Sequence, residues 1–302
     1  MSRVADRIRN RVIAGATEPF LHAPYPLENT LDYRGDPGLL GPDSVSWPVI
    51  ADASAFVGGI RSLLIQAAHP EVVAGVGDHS RYKDDPLGRL SRTSAYVTAT
   101  TFGAMPEVEK AVAQVRRIHR VVSGVSDRGV PYDAGDADLS AWVHNVLTDS
   151  FLVAYQRYGP EPLGSAEADR FVAEQSRVGA LLGADPMPPT APELSLWVSG
   201  HPDLGYSIEM RDAVEFLMDP PLSPGLKTGY VILLGAAVAT IPWRIREILG
   251  IDANRVREGI GRAAVAGLRW ALGASPTWAL ALERCGRARP EGLFRERLGP
   301  IR

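Results

Sequence analysis

Residues 136–159, "DADLSAWVHNVLTDSFLVAYQRYG", decide the fold class. Leu139, Trp142, Val146 and Phe151 form one apolar stripe, and His144, Leu147, Phe151, Tyr155 and Tyr158 a second, both at helical spacing. A helix apolar over so wide an arc is buried on several sides and sits at the centre of its domain. Its neighbours read the same way. Between Gly and Pro breaks nearly every segment keeps a helical period, and alternating strands joined by hairpin turns are not evident. The chain is expected to be all-α, a single multi-helix globular domain.

Working outward, the spacing predicts helices over about 4–15, 50–68, 70–77, 86–103, 106–123, 137–158, 166–182, 191–199, 207–218, 226–240, 242–249, 253–272 and 276–284. Asp85 before Pro86, Met105 before Pro106 and Ser165 before "AEADRF" mark helix starts. The proline-rich stretches 183–193 and 218–225 read as loops within the domain, because the helices on either side share one composition. Residues 1–49 are expected to be an N-terminal extension packed on a core spanning 50–250, with 251–302 completing the same domain.

The chain has 302 residues, 45% of them hydrophobic, enough for a core that needs no covalent staples. Its formal net charge of −3 offers no broad positive field for nucleic-acid phosphates, so nucleic-acid binding is disfavoured. The single cysteine, Cys285, cannot form an intrachain disulfide, and a reducing, cytoplasmic setting is expected. "GYVILLGAAVATIPW", residues 229–243, is shorter than the roughly 20 residues that span a bilayer, so an integral membrane span is not expected. The amphipathic start, with Val4, Ile8, Val12 and Ile13 on one side among basic residues, leaves peripheral membrane contact open.

Candidate chemistry lies in four places. In "QVRRIHRVVSG", residues 114–124, His119 continues the stripe of Val108, Val112 and Val115, where a histidine is either a hydrogen-bonded core residue or a ligand to a buried group. The same two readings apply to His144. On 86–103, Arg89, Thr93, Tyr96 and Thr100 share a face, with Arg92 beside Arg89; that face is either solvated or lines an anionic or polarisable group. His69, Asp78 and His79 supply two imidazoles and a carboxylate, a non-haem iron set by residue type but not by spacing. No P-loop, dinucleotide fingerprint or Gly-x-Ser-x-Gly elbow is present.

Taken together, "QAAHPEVVAGVGDHSRYKDDPLGRLSRTSAYV", "VRRIHRVVSGVSDRGVPYDAGDADLSAWVHNVL" and "IPWRIREILGI" resemble the catalytic domain shared by rubber oxygenases (latex-clearing proteins) and MpaB-type oxygenases, over roughly residues 50–250. The resemblance implies an all-helical oxygenase with a buried pocket between helices for non-covalent haem b. It implies His119 as the iron ligand, Arg89 and Thr93 beside the opposite haem face, and His144 in a supporting role. Arg92, expected with Arg89 and Thr93 among the cofactor-binding residues, occupies the position of a lysine in the family's Arg-x-x-Lys-Thr motif; guanidinium has no free lone pair, so Arg92 is not expected to ligate iron. Dioxygen and an apolar substrate, isoprenoid or unsaturated and lipid-like, are the implied partners, with oxidative double-bond cleavage as family precedent. Two other readings stand beside it: a non-catalytic helical carrier of haem or an apolar ligand, and a non-haem iron enzyme.

Overall fold

The computed structural model describes residues 3–252 and 258–290. Its centre is the helix that opened the sequence reading, here α7 (Ala137–Tyr158), whose Trp142, Val146, Phe151 and Leu152 lie inside the main core. Before it in the chain come α1 (Arg3–Thr17), α2 (Ser46–Ala51), α3 (Ala55–Gln66), α4 (Pro70–His79), α5 (Pro86–Phe102) and α6 (Met105–His119). After it come α8 (Ser165–Ala180), α9 (Ala191–Gly200), α10 (Ile208–Met218), α11 (Pro224–Val238), α12 (Trp243–Leu249), α13 (Glu258–Leu272) and α14 (Pro276–Arg284). The architecture is a single helical globular domain, and among the described residues no helix is long and apolar enough to cross a membrane.

Among the described residues, the most extensive helix contact is that of α3 with α7. Gly58 makes it possible: a Cβ there would stand 2.7 Å from Phe151 Cδ1 and 3.1 Å from the Ser150 carbonyl oxygen. Next to this contact, buried Arg61 donates to Asp149 at 2.7 Å and to Ser150 Oγ at 2.8 Å. Truncating either charged side chain would leave a buried ion unpaired. On the other side, the Glu174 carboxylate of α8 accepts from the Ser46 amide at 2.9 Å and the Ser46 hydroxyl at 2.8 Å, tying α8 to the start of α2.

The structure departs from the expected helix map at specific residues. The expected helix 50–68 is two helices, α2 and α3. Asp52 breaks it: its carboxylate accepts from the Ser54 amide at 2.8 Å and from Arg269 of α13 at 2.6 Å, which holds the chain in an Asx turn. The expected helix 106–123 ends at His119 and gives way to a hairpin, β1 (Ser123–Val125) with β2 (Pro131–Asp133), antiparallel with Gly124 opposite Tyr132. Strands of three residues are too short to show alternation in sequence. The hairpin packs on α4, where the Tyr132 hydroxyl donates to Asp78.

Asp85 caps α5 as expected, accepting from the Gly88 amide at 3.0 Å. Ser165 does not cap α8; it is the first helical residue, and the Glu167 carboxylate takes the Gly164 amide at 3.0 Å instead. Of the expected helix 253–272, residues 253–257 lie outside the described ones.

Candidate functional site

Helices α5 and α6 are joined by two residues, Gly103 and Ala104, and pack on one another. Arg89 is in the first turn of α5 and His119 is the last residue of α6. Both therefore lie toward the helix ends remote from the Gly103–Ala104 link.

Along α5 the polar face divides. Arg89 donates to Ser80 Oγ at 2.8 Å and stands 5.9 Å from the Tyr82 ring centre, and burial lowers its pKa. One turn on, Arg92 and Thr93 are exposed, and Arg92 is paired with the Asp85 carboxylate at 3.1 Å. Tyr96 points inward again: its hydroxyl is buried without a hydrogen-bond partner, and burial pushes its pKa up, so it stays protonated at neutral pH. Thr100 is buried and returns its hydroxyl to the Tyr96 carbonyl at 2.9 Å. The solvated and inward readings of this face thus apply to different residues of it.

His119 is half-buried at the end of the α6 stripe, below the buried Val108 and Val112. Burial lowers its pKa and outweighs two opposing influences, a hydrogen bond to the Ala134 backbone and the Asp133 carboxylate. The imidazole is then neutral near pH 7, with a backbone group available to fix its tautomer. A groove of 740 Å³ runs along α6, floored by Val108, Val112 and Leu181 and rimmed by Arg116, Arg117 and Arg120.

His144 lies elsewhere. Its Nε2 donates to the Gln175 carbonyl of α8 at 2.7 Å, and burial lowers its pKa to about 4. Gly179 lets the ring sit against α8; a Cβ there would come within 2.7 Å of His144 Cδ2. The histidine therefore clasps α7 to α8.

The sequence-derived trio of His69, Asp78 and His79 is separated. These residues occupy opposite ends of the 10-residue α4, which at 1.5 Å per residue stand about 13 Å apart. Asp78 meets Tyr132, and His79 Nε2 lies 3.0 Å from the Ser123 carbonyl. His69 meets partners from a distant part of the chain. Its ring centre is 5.4 Å from that of His201 and 5.7 Å from that of Trp142, while Trp197 lies 4.7 Å from His201. Burial lowers the His69 pKa to about 4 and also lowers that of His201. Beside it, Glu71 accepts from Arg128 at 2.7 Å and from Ser126 at 3.0 Å; burial pushes this carboxyl up, but those bonds outweigh it and hold it below its ordinary range. His201 escaped the sequence reading because its partner lies far away along the chain; the one local sign is that it, like His69, precedes a proline.

A family model described as "ER-bound oxygenase mpaB/B'/Rubber oxygenase, catalytic domain" matches residues 47–270. No curated protein and no solved structure matches the chain.

Proposed function

Starting from the fact that this chain belongs to the MpaB and rubber oxygenase catalytic-domain family, we propose that it is a haem b-dependent oxygenase with His119 as the iron ligand. The observation that carries this reading is the setting of His119: the last residue of α6, half-buried on its apolar stripe, with the Ala134 backbone beside it and burial lowering its pKa. A neutral imidazole with one nitrogen held by a backbone group presents the other as a lone-pair donor, the usual arrangement of a ligating histidine.

Two further observations along α5 support the reading. The Tyr96 hydroxyl is a buried donor without a partner, and Arg89 keeps its charge while half-buried. When bound, the haem supplies the oxygen-activating iron. The chain's residues do the rest. His119 would hold the group through its imidazole; Arg89 would offer a fixed cation to an anionic or polarised group; Tyr96 would offer an O–H. Thr93 contributes a hydroxyl on the exposed side. Val115, about one turn before His119, gives it a half-buried apolar neighbour. Arg92, committed to Asp85 and lacking a lone pair, is not a ligand.

An apolar, isoprenoid or unsaturated lipid-like substrate is the class this site serves, with double-bond cleavage as the reaction. Oxygen-electrode measurements on the haem-loaded protein with prenyl and unsaturated-lipid substrates test this. Substrate-dependent dioxygen consumption that falls at least about a hundredfold in Arg89→Ala is expected, the scale of losing an electrostatic donor. Haem binding with no consumption for any such substrate would make the chain a carrier rather than an oxygenase.

A further inference from the structure

We propose that His69, His201 and Asp203 form a binding site for a divalent transition-metal ion of the Zn²⁺, Co²⁺, Ni²⁺ or Fe²⁺ class, separate from His119. One donor atom from each of the three residues lies within 4.8 Å of the other two. Donors on bonds of about 2.1 Å around a tetrahedral ion stand roughly 3.4 Å apart, so a small closure completes the set. Asp203 can supply it, because its side chain is 60% exposed in the loop after α9.

The convergence is built into the backbone. The Gly205 amide donates to the Ala68 carbonyl at 3.0 Å, which fastens the loop carrying His201 and Asp203 to the residue before His69. Arg244 donates to the Ser199 carbonyl at 2.8 Å and to the His201 carbonyl at 3.2 Å, pinning the other side of His201. Trp142 and Trp197 wall the imidazoles, with ring centres 4.9 and 4.7 Å from that of His201.

An independent observation points to a ligand. His69 is 4% exposed, and its Nδ1 is buried with no hydrogen-bond partner. The nearest acceptor, a Glu71 carboxylate oxygen, is 3.4 Å away, and that carboxylate is already taken by Arg128 and Ser126. A buried imidazole with an unmatched nitrogen is costly unless its tautomer is fixed, and a cation bound at either ring nitrogen would fix it. Two neutral imidazoles and one carboxylate form a borderline donor set that suits these transition metals better than Mg²⁺ or Ca²⁺, which prefer all-oxygen ligands. A cavity of 450 Å³ lined by Trp197, His201, Asp203 and Asp138 adjoins the set, giving the ion an entry path and room for exchangeable ligands. The Asp138 carboxylate in that wall adds negative charge toward the ion.

Calorimetric titration of tag-free, chelator-treated full-length protein with Zn²⁺ tests the site. One ion per chain is expected. His201→Ala and Asp203→Asn should each weaken binding at least about tenfold, while His119→Ala leaves it within about twofold. With Co²⁺ as the probe, quenching of tryptophan fluorescence should accompany binding and be lost in His201→Ala. Asp203→Asn changes an exposed side chain and so tests the donor set without disturbing the core. Absence of saturable binding, or wild-type affinity in either variant, would overturn the assignment. Because the readout does not involve haem, the outcome is independent of the function proposed for His119.

Discussion

At the scale of single residues, two histidines that look alike in sequence behave differently. Both His119 and His144 stand among apolar positions on helices, and nothing local tells their surroundings apart. The structure separates them by partner. The Nε2 of buried His144 is taken by the Gln175 carbonyl, whereas His119 sits half-buried at a helix end beside the Ala134 backbone. The His144 pKa of about 4 lies below the unfolded value near 6.5, so the unfolded chain takes up this proton first as pH falls. Its contribution is complete above pH 6.5 and is lost as pH drops toward 4, by up to about 3 kcal/mol. Urea unfolding of wild type and His144→Leu across this range checks it: the variant should lose less stability on acidification, and parallel pH profiles would refute the assignment.

At the scale of elements, helix identity was legible wherever apolar spacing ran for several turns, as in α5, α7 and α10. It failed where a side chain intervened. Asp52 divides α2 from α3 through bonds to Ser54 and Arg269, the latter more than two hundred positions away, and no local pattern announces such a partner. The β1–β2 hairpin was hidden by its brevity, although its packing on α4 positions the turn after His119. The α3–α7 contact offers the sharpest test at this scale. Gly58→Ala places a methyl against Phe151 and the Ser150 carbonyl, neither of which can retreat freely, so a loss of about 1–3 kcal/mol is expected from denaturant midpoints. An unchanged midpoint would mean that the helices are not so closely seated.

At the scale of the whole molecule, the fold class and the family could be read from the chain, because a domain-wide helical period and three ordered motifs survive without any knowledge of contacts. What could not be read was which distant segments meet. His69 and Asp78 were candidates together because they are near in sequence, yet α4 holds them apart and the Gly205–Ala68 bond brings His201 to His69 instead. For the haem site that we propose, the motifs name Arg89, Arg92, Thr93 and His119, but which of them face inward depends on packing that the sequence does not display. Only the structure divides the inward Arg89 and Tyr96 from the exposed Arg92 and Thr93.

The central claim is that this assembly holds haem through His119, and the absorption spectrum of protein expressed with supplied haem, read alongside its iron content, tests it most directly. A Soret band with about one iron per chain, lost or strongly weakened in His119→Ala and kept in His144→Leu, is the expected result. A colourless, iron-free wild-type protein, or a Soret band that His119→Ala leaves unchanged, would contradict it.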